Sequence, residues 1–159
     1  ELIYVVDAYP ARTAQIWKQI RQQGGFPMEA HSTGTVQTSA IRPAEGAMEG
    51  VLTGDIFIAE GAVGPMAEFI GHYKAKNGET PNKVSLVVYE AVKVIAAAMD
   101  KAGTDSDYTK ISKTIRENVW NMPRGSLSFD EKGRAKAPKF YIHVVKGGDV
   151  ALLETFDVK

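Results

Sequence analysis

Between Val63 and Asn118 the sequence spells three amphipathic helices in succession, with no strand between them. Met66, Phe69, Ile70 and Tyr73 fall on one helical face, and Asn77-Gly78 ends that helix. Val84, Val88, Ala91, Val92, Ile95, Met99 and Ala102 follow at steps of three and four and form one apolar stripe. Gly103 is its natural stop. Thr104-Asp105-Ser106-Asp107 offers a cap with an acid three residues on, and Tyr108, Ile111 and Ile115 mark a third face. Such stripes need a cover, since burying one large apolar side chain is worth about 1.5–3 kcal/mol. No sheet-forming segment lies among these helices, so the covering sheet is expected outside this sequence.

The flanks differ from the middle. "ELIYVVDAYP" is a continuous apolar run ended by Asp7 and Pro10, as fully buried parallel strands are. Ala11 to Gln23 carries Ile16 and Ile20 at helical spacing, "GG" at 24–25 stops it, and Phe26 to Ala30 is a short strand. This is the strand–helix–strand unit of open parallel sheets. "HSTGTVQTS" is a loop feeding a short helix near Thr38 to Ala44, and "GVLTGDIFIA" is a strand with a glycine inside it. After Pro123 the period becomes two. Leu127 and Phe129 alternate with serines, and Phe140, Ile142 and Val144 alternate along a strand joined by "KGGD" to Val150–Phe156, a hairpin signal.

Nineteen basic residues balance nineteen acidic ones, so no net charge draws the chain to nucleic acid. The absence of cysteine excludes disulfides, thiol nucleophiles and thiolate metal sites, and suits an exported bacterial protein. No apolar run approaches the ~20 residues of a membrane helix, and the opening residues are expected to be a strand rather than a signal peptide. A chain that opens inside a strand without a Met is expected to be a piece of something longer.

Few segments invite chemistry. Asp130-Glu131-Lys132-Gly133 lacks calcium-loop spacing, and adjacent acids on a strand point to opposite faces. The tetrad is expected to be a turn, with Asp at its start and Gly where positive φ is needed. His31, His72 and His143 have no partner His at ligand spacing, so no metal site is expected. His72 is expected on an exposed helix face and His143 on a sheet surface. His31 follows a buried strand, where open α/β sheets bind ligands. Asp7-Ala8-Tyr9 leaves the first strand in the same way. At least one of these is expected in a pocket. The alternative is that Asp7 caps the helix after Pro10 and Tyr9 packs on it. No G-x-S-x-G, G-x-G-x-x-G or Walker loop occurs, and Trp17 and Trp120 are expected to pack.

"EFIGHYKAKNGETPNKVSLVVYEAVKVIAAAMDKAGT" and "PRGSLSFDEKGRAKAPKFYIHVVKGG" resemble the C-terminal half of bacterial type I solute-binding proteins, in particular the leucine/isoleucine/valine-binding family that serves ABC transporters. "YVVDAYPARTAQIWKQIRQQG" fits the same family's second lobe. The resemblance implies an α/β fold of two Rossmann-like lobes with hinge crossovers and a ligand cleft. Residues 1–53 would belong to the second lobe, 54–59 to a crossover, 60–122 to helices of the first lobe, 123–129 to a return crossover, and 130–159 to the second lobe again.

The resemblance also implies pocket residues: Asp7, Ala8 and Tyr9 after the first strand, His31 and Ser32 after the second, and Val84, with Ser85 beside it, at the start of the long helix. Amino-acid binders of the family usually place an acid near His31. Here the region reads Ala30-His31-Ser32-Thr33 with only Glu29 before it. That leaves Asp7 to hold an ammonium, or a ligand without one. The ligand is expected to be small and at least partly apolar or aromatic, with Tyr9 as a packing surface and His31 donating to a carboxylate. The implied function is the periplasmic or cell-surface solute-binding component of an ABC importer, with no catalysis and no cofactor. The alternative is a sensor or regulator of the same fold. Implied partners are the small-molecule ligand, a membrane permease, and a second chain carrying the N-terminal half.

Overall fold

The computed structural model describes residues 1–136 and 138–158. The chain forms two compact units, Glu1–Glu60 with Phe140–Phe156, and Gly61–Lys139 with the residues from 157 on.

The first unit is built on a five-stranded sheet. Its parallel strands are β1 (Leu2–Val5), β2 (Met28–His31) and β3 (Leu52–Asp55). The sheet is continued by β7 (Lys139–Lys146), antiparallel to β3, and β8 (Asp149–Asp157), in the order β1-β2-β3-β7-β8. Gly147 and Gly148 connect the last two strands with φ of 61° and 80°. Two successive positive-φ residues match the twist of a tight hairpin, and glycine takes that conformation without Cβ strain.

Helix α1 (Pro10–Gln22) starts with proline at its first turn, where the missing N–H is not needed. Its buried face, Thr13, Ala14 and Trp17, lies on the sheet. Met48, Val51, Val145, and Ala40 and Ile41 of α2 (Thr38–Ile41) complete this core. The other face of the first strands is bare: Leu2 and Tyr4 are each 57% exposed and Met28 is 54% exposed.

β3 stops at Asp55, short of the strand expected through Ala59. The Asp55 carboxylate accepts the N–H of Ile56 at 2.7 Å, diverting that group from the ladder. Gly54 stands opposite Ile142 in the register. A Cβ there would lie 2.6 Å from Cε1 of Phe140 and closer still to Cζ. Gly54→Ala is therefore expected to cost about 1–3 kcal/mol, because an aromatic ring cannot swing aside as a flexible chain end can. Urea denaturation of the intact protein checks it, and Phe140→Leu should recover part of the loss.

The second unit holds α3 (Gly64–Asn77), α4 (Lys83–Ala102) and α5 (Tyr108–Glu117), with a small antiparallel sheet of β4 (Trp120–Met122), β5 (Gly125–Phe129) and β6 (Ala135–Lys136). Asn82 caps α4 by accepting the Ser85 N–H at 3.1 Å. Asp107, rather than Thr104, caps α5. Thr104 Oγ1 instead accepts the N–H groups of Ser106 and Asp107 in the approach to the helix. Val94, Ala98, Ala102, Ile111, Trp120 and Leu127 make the core.

Most of the apolar stripe expected to be covered on α4 faces away from this core, and only its C-terminal end, Met99 and Ala102, packs into it. Val84 and Val92 are 61% exposed, Val88 57% and Ile95 43%. The face buried against the rest of the unit is Leu86, Glu90, Val94, Ala98 and Ala102. Asp130 to Gly133 is a turn between β5 and β6. Asp130 Oδ1 accepts the N–H groups of Lys132 and Arg134, and Gly133 has φ +77°. By compactness, 130–139 goes with this unit, because β5 is paired on both sides within it. Among the described residues no helix is long and apolar enough to cross a membrane.

Candidate functional site

Val5 stands opposite His31 in the parallel register of β1 and β2, so both strands end at one edge of the sheet. The loops that leave this edge are tied together. Ser32 N–H donates to the Val5 carbonyl at 2.9 Å, and Thr35 Oγ1 donates to the Asp7 carbonyl at 2.7 Å. Asp7, Ala8, Tyr9, His31 and Ser32 are thereby gathered at the carboxyl end of parallel strands, where open α/β sheets place their ligands.

Their side chains take different roles. The Asp7 carboxylate is buried and occupied. It accepts the Tyr9 N–H at 2.8 Å and both Arg12 Nη2, at 2.9 Å, and Arg12 Nε. The Arg12 guanidinium, then the Tyr9 N–H, hold its pKa down to about 2. Asp7 is thus matched to a cation of its own chain. A depressed carboxylate contributes stability above its ordinary pKa and loses it as pH falls through the folded value. Asp7 is expected to titrate at about pH 2 by carboxyl-carbon NMR, and Arg12→Met to return it to near 4. An Asp7 titration near 4 in the unaltered protein would show that the pair does not form.

Tyr9 is the prominent exposed group, 65% accessible, with the Arg12 guanidinium carbon 4.7 Å from its ring centroid. Ser32 is half-buried and Ala8 exposed. His31 is 1% exposed, with its ring 6.3 Å from that of Trp17 and Nδ1 3.0 Å from the Ser32 carbonyl. Its ring thus packs beneath α1 rather than standing on the edge. Val84 belongs to the second unit, exposed in the first turn of α4. Glu29 is buried and engaged by Arg21 Nη1 at 2.9 Å and by the Phe26 N–H at 3.0 Å.

His143, expected on the sheet surface, is 5% exposed. β7 is an inner strand between β3 and β8, so alternation buries one of its faces. Burial pushes the His143 pKa down, opposed by the charges of Asp55 and Glu60, and its ring stacks on Tyr141 at 6.2 Å. Sequence reasoning missed Arg12 and Thr35. Neither carries a motif, and both act through loops whose juxtaposition only the parallel pairing creates. Among the described residues no three His, Asp or Glu groups are placed to hold a metal.

A model of the periplasmic binding protein family matches residues 3–149. The chain belongs to that family. A curated relative, the leucine-, isoleucine-, valine-, threonine- and alanine-binding protein of Pseudomonas aeruginosa, is 39% identical over 74 residues, 46% of this chain and 20% of that protein. The leucine-binding protein of Thermotoga maritima superposes with a TM-score of 0.86 at 28% identity, over 98% of this chain and 44% of that one. A solute-binding protein from R. palustris solved with benzoate shares the fold at TM-score 0.80 and 15% identity, over 97% of this chain and 42% of that one. This periplasmic binding protein chain thus spans less than half the length of these relatives. Its architecture is the type I fold of the family, and the relatives are binding proteins rather than enzymes.

Proposed function

We propose that the chain is part of the extracytoplasmic solute-binding component of an ABC importer, and that the tied strand ends of the first unit hold a small organic solute. The observation that carries this reading is the exposed Tyr9 ring, braced by Arg12, on a loop tied through Asp7 and Val5 to the loop that begins with Ser32. A rigid aromatic with a guanidinium beside it and a hydroxyl on the tied loop suits a ligand with an apolar body and a carboxylate. Asp7 and Glu29 are matched to Arg12 and Arg21, so neither is left to hold an ammonium. This favours an aromatic or aliphatic acid over an α-amino acid. Tyr9, Ser32 and Ala8 line the site, and Asp7 and His31 hold its shape. The protein binds and releases without reaction. It works in the periplasm or at the cell surface with a membrane permease, and a further segment carrying the N-terminal half completes the fold.

The test is a calorimetric screen of the intact protein against aromatic acids, aliphatic acids, aliphatic amino acids and sugars. Saturable binding of an acid is expected. Response to sugars alone would overturn the reading. Tight leucine binding with no response to acids lacking the ammonium would overturn the ligand class.

A further inference from the structure

Helix α1 presents Thr13 and Trp17 to the sheet, one helical turn apart, and both are 0% exposed. His31 of β2 lies against Trp17, its ring tilted 47° from the Trp17 ring at 6.3 Å between centroids. Thr13 Oγ1, Trp17 Nε1 and His31 Nε2 are all buried, and none has a hydrogen-bond partner among the described residues. Three unmet polar atoms on facing elements of one core are unusual, because each costs its full desolvation when left alone.

The hydrogen-bonding capacities of the three atoms are complementary. Indole N–H can only donate. His31 Nδ1 lies 3.0 Å from the Ser32 carbonyl, which can only accept, and 3.4 Å from the Ser32 hydroxyl, which can do either; the shorter contact assigns the hydrogen to Nδ1. Nε2 of the neutral ring is then a bare acceptor. The Thr13 hydroxyl can act either way. One donor, one acceptor and one group that is both make the complement of a water molecule. A metal cation would suit Nε2 but meets the indole hydrogen. An anion would suit the indole but meets the Nε2 lone pair.

We propose that the interface of α1 and β2 holds an internal water bound by Thr13 Oγ1, Trp17 Nε1 and His31 Nε2, and that this site positions the loop after β2. The water fixes the orientation of the His31 ring. Nδ1 of that ring holds the Ser32 carbonyl, which Thr53 Oγ1 also approaches at 3.4 Å. His31 is then a positioning residue, linking the helix that begins after Tyr9 to the loop that begins with Ser32. The consequence for ligand affinity rests on the proposed ligand site. The water site itself does not.

The test is NMR of the isotope-labelled intact protein. The Trp17 indole proton is expected to show a dipolar cross-peak at the water frequency, and long-range nitrogen correlations are expected to place the His31 hydrogen on Nδ1. A missing indole–water cross-peak, or a hydrogen on Nε2 alone, overturns the proposal whether or not any solute binds. Trp17→Phe, which keeps a ring and removes the donor, is expected to shift the His31 nitrogens and weaken the ligand found in the screen by about threefold to tenfold. His31→Asn, whose amide can still reach the Ser32 carbonyl, should retain more affinity than His31→Leu. Unchanged affinity in Trp17→Phe overturns the positioning role.

Discussion

Residues 1–159 produced alone are expected to give no cooperative thermal transition from a soluble monomer. The reason lies in surfaces on each unit. In the first, Leu2, Tyr4 and Met28 stand exposed on one side of parallel strands, and parallel sheets are stable when both faces are covered. In the second, Val84, Val88, Val92 and Ile95 present a continuous apolar stripe of α4 to solvent. Soluble monomers rarely show contiguous apolar patches beyond a few hundred Å². A segment completing the type I fold would cover these surfaces. Its interface should exceed the ~2,000 Å² of ordinary complexes, because it amounts to a core cut in two. Circular dichroism during heating is the measurement. Aggregation or a shallow non-cooperative loss of signal is expected for the chain alone, and a sharp transition once the complementary segment is co-expressed. A sharp transition from a monomer of the chain alone would show that no covering segment is needed.

Arg124→Met is expected to cost about 3–5 kcal/mol at neutral pH, the usual penalty for breaking a buried pair from one side. Glu90 is 1% exposed and the Arg124 side chain 9%, with Nε and Oε2 2.6 Å apart. The approach is off the line of a hydrogen bond, so it acts as an ion pair, and the Arg124 N–H adds a longer contact to Oε1 at 3.3 Å. Burial pushes the Glu90 pKa up, and Arg124 opposes that shift. For an acid with a raised folded pKa, the favourable contribution is present below the unfolded value and lost as pH rises through the folded one. Losing Arg124 removes the opposing charge, so the penalty should be largest at neutral pH and shrink below about pH 4. Urea denaturation of the intact protein at several pH values measures this. Glu90→Gln added to Arg124→Met should recover much of the loss. A single-variant cost within about 1 kcal/mol of zero at pH 7 would mean that the pair is not buried in the intact protein.

Much of this architecture was legible because it is local. Gly78 and Gly103 end helices in the left-handed conformation their sequence positions suggested, and Gly147-Gly148 makes the hairpin. What sequence could not show was which face of an element meets the rest of its unit. The α4 stripe was visible as periodicity, yet a second stripe through Leu86, Glu90 and Val94 is the one buried within this chain. A helix apolar on two sides has no single period to announce its orientation. The site divides in the same way. That Asp7 and His31 would share a sheet edge followed from parallel strands. That Asp7 would be taken by Arg12, and that His31 would lie beneath Trp17, depended on side-chain direction and on a loop crossing no motif encodes. His143 shows the cost of reading one strand without its neighbours, since its burial comes from the strands on either side.

Native mass spectrometry of the intact protein, gently purified, tests the central claim most directly. One small organic acid per protein is expected to be retained. Tyr9→Ala should lose it, because removing the ring forfeits about 1.5–3 kcal/mol of apolar contact, or roughly tenfold to a hundredfold in affinity. Arg12→Lys should keep the protein folded but bind more weakly, since an ammonium cannot both fork onto Asp7 and brace the Tyr9 ring. Retention of the same ligand, at the same affinity, in Tyr9→Ala would contradict the account and move the binding site away from this edge of the sheet.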